Sequence, residues 1–132
     1  MPSSLKATMT AKILILNVDD YDQARYIKTR LLQNAGFLVE EASNGIDALE
    51  MAGRLHPSLV LLDVRLPDID GREVCRRLKA DPATSDMNVI HTSAAFISEQ
   101  DARAGLESGA DRYIPVPFEP QDLIAAVRSV LH

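Results

Sequence analysis

The sequence is poor in the residues on which several classes of protein depend. Cys75 is the one cysteine among 132 residues, which excludes an internal disulfide and a cysteine-based zinc cluster. There is no tryptophan and the aromatic content is 5%, which argues against a stacking platform for single-stranded nucleic acid. The formal net charge of −5 also disfavours a nucleic-acid groove.

Long hydrophobic runs are missing as well. No segment approaches the roughly 20 apolar residues that span a bilayer, and residues 1–11 lack the apolar core of a signal peptide. The content of 46% hydrophobic and 25% charged residues is typical of a chain that folds around a core. We therefore expect a flexible lead-in over residues 1–11, one domain over residues 12–132, and a soluble cytoplasmic protein without membrane contact.

Five short apolar segments predict β-strands. Residues 12–18 and 59–62 are almost unbroken apolar runs, which is typical of strands that are buried on both faces of a parallel sheet. Shorter strand candidates lie at residues 37–41, 88–92 and 112–115. Connections of ten residues or more separate them, so helices have room to cross between the strands.

Apolar residues at helical spacing lie between these segments. The four predicted stripes are Ala24, Ile27, Leu31 and Leu32; Leu49, Ala52 and Leu55; Val74, Cys75 and Leu78; and Leu123, Ile124, Val127, Val130 and Leu131. Gly36 and Gly109 occupy positions that suit the residue after a helix, and Pro120 suits a first helical residue. The alternation of strands and helices predicts a doubly wound α/β fold with right-handed crossovers.

Acidic and hydroxyl side chains follow three of the predicted strands. Asp19 and Asp20 follow the first strand, Asp63 the third and Ser93 the fourth. In open α/β sheets the functional site lies beyond the carboxyl ends of the strands. Each of these residues alone suits an ordinary turn, cap or loop. Their joint placement predicts that three carboxylates converge if the first and third strands are neighbours.

Converging carboxylates require a partner of opposite charge. Two unit charges about 4 Å apart repel by about 4 kcal/mol at an effective dielectric of about 20. Mg²⁺ relieves such repulsion because it prefers oxygen ligands. A carboxylate beside the cation can also attack a phosphoryl group and form an aspartyl phosphate. The pattern thus points to a magnesium site with phosphoryl chemistry.

Four motifs resemble the receiver domain of two-component response regulators. They are Ile-Leu-Asn-Val-Asp-Asp (15–20), Leu-Val-Leu-Leu-Asp-Val-Arg-Leu-Pro-Asp-Ile-Asp-Gly (59–71), Val-Ile-His-Thr-Ser-Ala (89–94) and Gly-Ala-Asp-Arg-Tyr-Ile-Pro-Val-Pro-Phe (109–118). The resemblance covers roughly residues 12–131. It implies a flavodoxin-like (βα)5 fold with strand order 2-1-3-4-5, in which the first and third strands are adjacent.

The resemblance implies a role for each acidic residue. Asp63 corresponds to the phosphoacceptor, and Asp20 to a direct ligand of Mg²⁺. Asp19 corresponds to a residue that assists the metal through water, and the backbone carbonyl of Arg65 to a further ligand. The implied protein is a regulatory phosphoprotein of a phosphorelay, not an enzyme beyond its own phosphorylation and dephosphorylation.

The resemblance also implies a switch and reveals one departure. Ser93 corresponds to the residue that hydrogen-bonds the phosphoryl group and turns inward, and Tyr113 to the switch aromatic on the fifth strand. The usual lysine is replaced by Val116, which has neither charge nor donor for a site that works electrostatically. The side chain of Arg65 is one source of compensating charge. We expect the bond from Val116 to Pro117 to keep the cis isomer of the family.

Three functions stay open at this point. The first is a phosphoacceptor switch that takes a phosphoryl group from a histidine kinase or phosphotransfer domain and alters the face of the fourth helix, fifth strand and fifth helix. The second is a pseudo-receiver, a protein-interaction module that works without phosphorylation. The third is a metal-dependent phosphohydrolase, which is disfavoured because Arg65 stands where a second acid/base aspartate is needed.

The sequence leaves the context of this domain open. We expect no output domain within the chain, which suits either a stand-alone regulator or the receiver of a hybrid histidine kinase, the subgroup it most resembles. A homodimer through the same face is a further expected partner. However, core packing alone accounts for the stripe over residues 123–131.

Overall fold

Five strands alternate with five helices in the computed structural model, which describes residues 13–93 and 99–131. The elements are β1 Leu14–Val18, α1 Asp22–Asn34, β2 Leu38–Ala42, α2 Gly45–Leu55, β3 Leu59–Asp63, α3 Gly71–Ala80, β4 Asn88–Ser93, α4 Glu99–Glu107, β5 Arg112–Pro115 and α5 Pro120–Leu131. The predicted lead-in over residues 1–11 lies outside the described residues. No helix in the described ranges is long and apolar enough to cross a membrane.

The strands form one parallel sheet in the order β2-β1-β3-β4-β5, which confirms the predicted doubly wound fold. Val18 pairs with Leu62, and Asp63 pairs with Thr92. The carboxyl ends of β1, β3 and β4 therefore meet at one edge of the sheet. The residues that follow them are held side by side although they are far apart in sequence.

Apolar side chains cover both faces of the central strands. On one face, Ile15, Leu59 and Leu61 pack in a cluster with Leu32 of α1 and Leu123 of α5. On the other face, β1, β3 and β4 contribute to a cluster with α2 and α3. Full burial of a leucine or isoleucine side chain stabilises a fold by about 1.5–3 kcal/mol. These layers make the sheet a rigid support for its carboxyl edge.

Three predicted helix boundaries are confirmed. Gly36 and Gly109 follow α1 and α4 with φ angles of 100° and 104°, a region that favours glycine. Pro120 is the first residue of α5. Asp70 caps α3 by accepting a hydrogen bond from the backbone N–H of Arg72 at 2.8 Å.

The prediction that Ile27 lies on the inner face of α1 is wrong. Ile27 is 56% exposed, whereas Lys28 and Thr29 are buried. Ala24, Lys28 and Leu32 lie one helical turn apart, so a stripe through these residues reaches the sheet. The apolar pattern placed Ile27 inside because spacing of apolar residues gives no signal for a buried lysine.

Candidate functional site

The three predicted carboxylates meet at the carboxyl edge of the sheet. Asp19 is buried, Asp20 is exposed and Asp63 is half-buried, and one carboxylate oxygen from each lies within 4.8 Å of the others. This convergence was predicted from the sequence. Because carboxylate oxygens are the ligands that hard divalent cations prefer, these residues could hold a metal ion.

The pKa of Asp63 is shifted by burial and by negatively charged neighbours. Burial raises the pKa of Asp63 from 3.8 to about 6, and the charges of Asp19 and Asp20 act in the same direction. The backbone N–H of Arg65, which donates to Oδ1 of Asp63 at 3.3 Å, and the positive charge of Lys28 oppose this rise in the pKa. Without a cation, the ionised form of Asp63 is therefore less favoured than that of an exposed aspartate.

Lys28 is a member of the site that the sequence reasoning missed. Its ammonium lies 2.7 Å from Oδ2 of Asp19 and 3.4 Å from Oγ1 of Thr92. Oδ1 of Asp19 accepts the backbone N–H of Tyr21 at 2.9 Å, so both oxygens of this carboxylate have partners. The sequence held one signal for this role: Lys28 lies one helical turn from both Ala24 and Leu32, which belong to the predicted apolar face.

A cavity of about 580 Å³ opens beside the cluster. The acidic residues and Lys28 line one part of it, and Leu66, Val116, Pro117 and Phe118 contribute apolar walls. The predicted cis bond between Val116 and Pro117 is confirmed. Val116, in the segment between β5 and α5, lines the cavity with an aliphatic side chain.

The remaining predicted site residues lie around this cavity or on the strands next to it. Arg65 is exposed and lines the cavity. Ser93 is buried at the end of β4, and its carbonyl accepts the backbone N–H of Val116 at 2.9 Å. Tyr113 is half-buried on β5, with its ring centroid 6.2 Å from that of the buried His91. Their functional roles stay predictions.

Three hydrogen bonds hold the loop between β3 and α3 in place. The backbone N–H of Gly71 donates to the carbonyl of Val64 at 2.8 Å, and a Cβ added at Gly71 would overlap the carbonyl oxygen of Asp63. The carboxylate of Asp68 accepts the backbone N–H groups of Gly45 and the next residue, both at 2.8 Å. The loop that follows Asp63 is thus fixed against α2 and α3.

A family comparison agrees with this geometry. The model of the response regulator receiver domain matches residues 15–128. The chain belongs to the response regulator receiver family. The resemblance inferred from the four motifs is confirmed. Receiver domains of response regulators are regulatory, so the family favours a regulatory role over the phosphohydrolase.

Known relatives place this receiver among two-component proteins. It is 42% identical over 117 residues to the response regulator MprA of Mycobacterium leprae. The matched region covers 89% of this chain and 50% of that protein. The chain spans about half the length of the curated relatives it matches.

Solved structures share the fold. A CheY-like response regulator receiver domain protein from Methanospirillum hungatei has a TM-score of 0.82 and 28% identity, covering 89% of this chain and 92% of its own. The receiver domain of a signal transduction histidine kinase from Syntrophus aciditrophicus has a TM-score of 0.82 and 30% identity, covering 89% of each chain.

Proposed function

We propose that this receiver is a phosphoacceptor switch in which Asp63 takes a phosphoryl group from a phosphohistidine in a Mg²⁺-dependent reaction. The observation that carries the proposal is the convergence of Asp19, Asp20 and Asp63 beside an open cavity. The donor is a histidine kinase or a phosphotransfer domain. A carboxylate oxygen of Asp63 attacks phosphorus, the bond from phosphorus to the donor nitrogen breaks, and the departing imidazole keeps the electron pair and takes up a proton.

The oxygen donors suit Mg²⁺, and each ligand has a proposed role. Asp20 and Asp63 would bind the cation directly, together with the backbone carbonyl of Arg65. Asp19 would act through water, and the two contacts that already occupy its oxygens support this role. When bound, Mg²⁺ supplies positive charge to the oxygens of the transferring phosphoryl group.

The phosphorylated site would act on β4 and β5. The hydroxyl of Ser93 would donate to a phosphoryl oxygen and turn inward, with Tyr113 following on the neighbouring strand. The hydrogen bond from the N–H of Val116 to the carbonyl of Ser93 supports this coupling because it joins the two strands beside the site. The face of α4, β5 and α5 would then change its contacts with a partner.

A homodimer through this face stays a prediction. Leu123 and Val127 are fully buried in the core. They therefore contribute to the packing of α5 rather than to a surface for a second copy.

The experiment that tests the switch is intact mass after incubation with Mg²⁺ and a phosphoryl donor. Acetyl phosphate and a phosphorylated phosphotransfer domain serve as donors, with Asp63→Asn as the blocked variant and Asp22→Asn as a matched control on an exposed carboxylate. We expect one phosphoryl group on the parent and on Asp22→Asn, and none on Asp63→Asn. An unlabelled parent with both donors contradicts the proposal.

The aliphatic wall at Val116 favours one alternative, a pseudo-receiver that binds partners without phosphorylation. Val116→Lys distinguishes the two functions. A phosphorylation-dependent switch should respond to the added charge with faster labelling, whereas the partner binding of a pseudo-receiver should be unchanged by both the substitution and the phosphoryl donor.

A further inference from the structure

Lys28 is unusual because its charge is removed from water. Its side chain and that of Asp19 are each 5% exposed. Lysine is almost never fully buried unless it is paired. A lysine at an exposed position of α1 would reach solvent, but the side chain of Lys28 points at the sheet. The charge is therefore placed at the site rather than in solvent.

The contacts of Lys28 place its ammonium over the end of β3. Asp19 follows β1 and Thr92 belongs to β4, and these two strands flank β3 in the sheet. Thr92 pairs directly with Asp63. An ammonium that contacts a residue on either side therefore lies close to the strand end that carries Asp63. Its charge also lowers the pKa of that carboxyl group.

The opposite wall of the cavity has no comparable charge at position 116. Val116 is aliphatic, and Arg65 is exposed at the rim. An ammonium has three donors, and the contacts of Lys28 with the part of the chain that the structure describes use two. One donor thus remains for a phosphoryl oxygen on Asp63.

We infer that Lys28 supplies, from α1, the positive charge for phosphoryl transfer to Asp63 that Val116 cannot supply from the segment after β5. This inference rests on the proposed function. No covalent bond to Lys28 forms or breaks in this step. Its charge offsets the negative charge that spreads over the phosphoryl oxygens in the transition state.

The test compares Lys28→Met with Lys79→Met. Lys79 is a matched control because it is also a paired lysine with a largely covered side chain, 24% exposed. It contacts the carbonyl of Met87 and the carboxylate of Asp111 at the opposite edge of the sheet. Labelling by acetyl phosphate and Mg²⁺ is followed by intact mass, and Mg²⁺ affinity by calorimetry. Unfolding curves in Mg²⁺ establish that each variant is folded.

We expect Lys28→Met to slow labelling by about tenfold or more and to tighten Mg²⁺ binding, because Asp19 loses its competing cation. A variant whose fold is merely damaged should lose both the labelling rate and the Mg²⁺ affinity. The double variant Lys28→Met/Val116→Lys should regain most of the labelling rate, since it returns a cation to the cavity, and Lys79→Met should match the parent in both measurements.

The outcomes separate this inference from the proposed function. A labelled parent with an equally labelled Lys28→Met overturns the inference and leaves the function standing. If Val116→Lys does not recover the labelling that Lys28→Met loses, a cation at position 116 cannot replace the one at position 28. That result overturns the inference that Lys28 supplies the charge missing at Val116. An unlabelled parent overturns the function and, with it, the role of Lys28.

Discussion

The ammonium of Lys28 and the carboxylate of Asp19, a member of the acidic cluster, form a buried ion pair of 2.7 Å. The pair joins α1 to the end of β1 and therefore links the stability of the fold to the charge of the site. It also offsets one negative charge where three carboxylates converge.

Breaking this pair from one side should destabilise the protein. Asp19→Asn leaves the ammonium of Lys28 buried without its counter-ion, so we expect the free energy of unfolding to fall by about 3 kcal/mol. The double variant Asp19→Asn/Lys28→Met should recover most of the loss, because no buried charge remains unpaired. Urea unfolding of the parent, the single variants Asp19→Asn and Lys28→Met, and the double variant, all without Mg²⁺, measures the coupling.

An exposed ion pair provides the control for that cycle. Arg54 and Glu50 lie one turn apart on α2 with most of both side chains in solvent. Arg54→Met should change the free energy of unfolding by less than about 0.5 kcal/mol. Equal effects of Asp19→Asn and Arg54→Met would contradict the assignment of a strong pair at the site.

The stability of the metal-free protein should depend on the ionisation of Asp63. Its pKa is raised to about 6 in the fold, so the folded state binds this proton more tightly than the unfolded chain does. The contribution of Asp63 to stability is therefore fully present below its ordinary pKa of 3.8 and is lost as the pH rises toward 6. Asp63→Asn, which cannot ionise, should be more stable than the parent near pH 7 and lose this advantage near pH 4.

Unfolding curves in a chelator at several pH values measure this difference, with Asp22→Asn as the control on an exposed carboxylate. Mg²⁺ should narrow the gap near pH 7 because the cation offsets the charge of Asp63. A gap between parent and Asp63→Asn that does not change with pH would contradict the prediction.

Gly71 should be required for the position of Asp63. The Cβ of Gly71→Ala would overlap the carbonyl oxygen of Asp63 and lie 2.9 Å from the Cα of Val64, so the end of β3 must move. We expect a loss of about 1–3 kcal/mol in the free energy of unfolding and slower phosphoryl labelling. Gly53→Ala is the matched control, since its Cβ meets nothing within 4 Å. It should stabilise α2 by up to about 1 kcal/mol, and equal effects at the two positions would count against the close approach at Gly71.

Asp68 should cap α2 from a distant loop. Hydrogen bonds from the backbone N–H groups of Gly45 and its neighbour lower the pKa of Asp68, so its contribution to stability is present near neutral pH and is lost as the pH falls below the ordinary carboxyl range. Asp68→Ala should cost about 1 kcal/mol and speed amide hydrogen exchange in the first turn of α2. Asp86→Ala, at an exposed loop carboxylate, should do neither.

The amino-acid sequence by itself determined the alternation of strands and helices and the convergence of Asp19, Asp20 and Asp63. These features depend on local patterns: apolar runs, glycines at helix ends, and polar residues directly after strands. Parallel strands align their carboxyl ends, so positions along the chain were enough to place the three carboxylates together. Val116 was recognised as a departure in another way, from the resemblance to receiver domains, which have a lysine at this position before Pro117.

Only the tertiary structure decided which side of α1 faces the sheet. Ile27 and Lys28 are adjacent, and apolar spacing favours burial of the isoleucine. The lysine is buried instead because its partners come from other segments, nine residues away at Asp19 and 64 residues away at Thr92. The same holds for the cap that Asp68 provides to α2 and for the pKa of Asp63. Each depends on charges and donors that are brought together by packing, and no local pattern along the chain records such pairs.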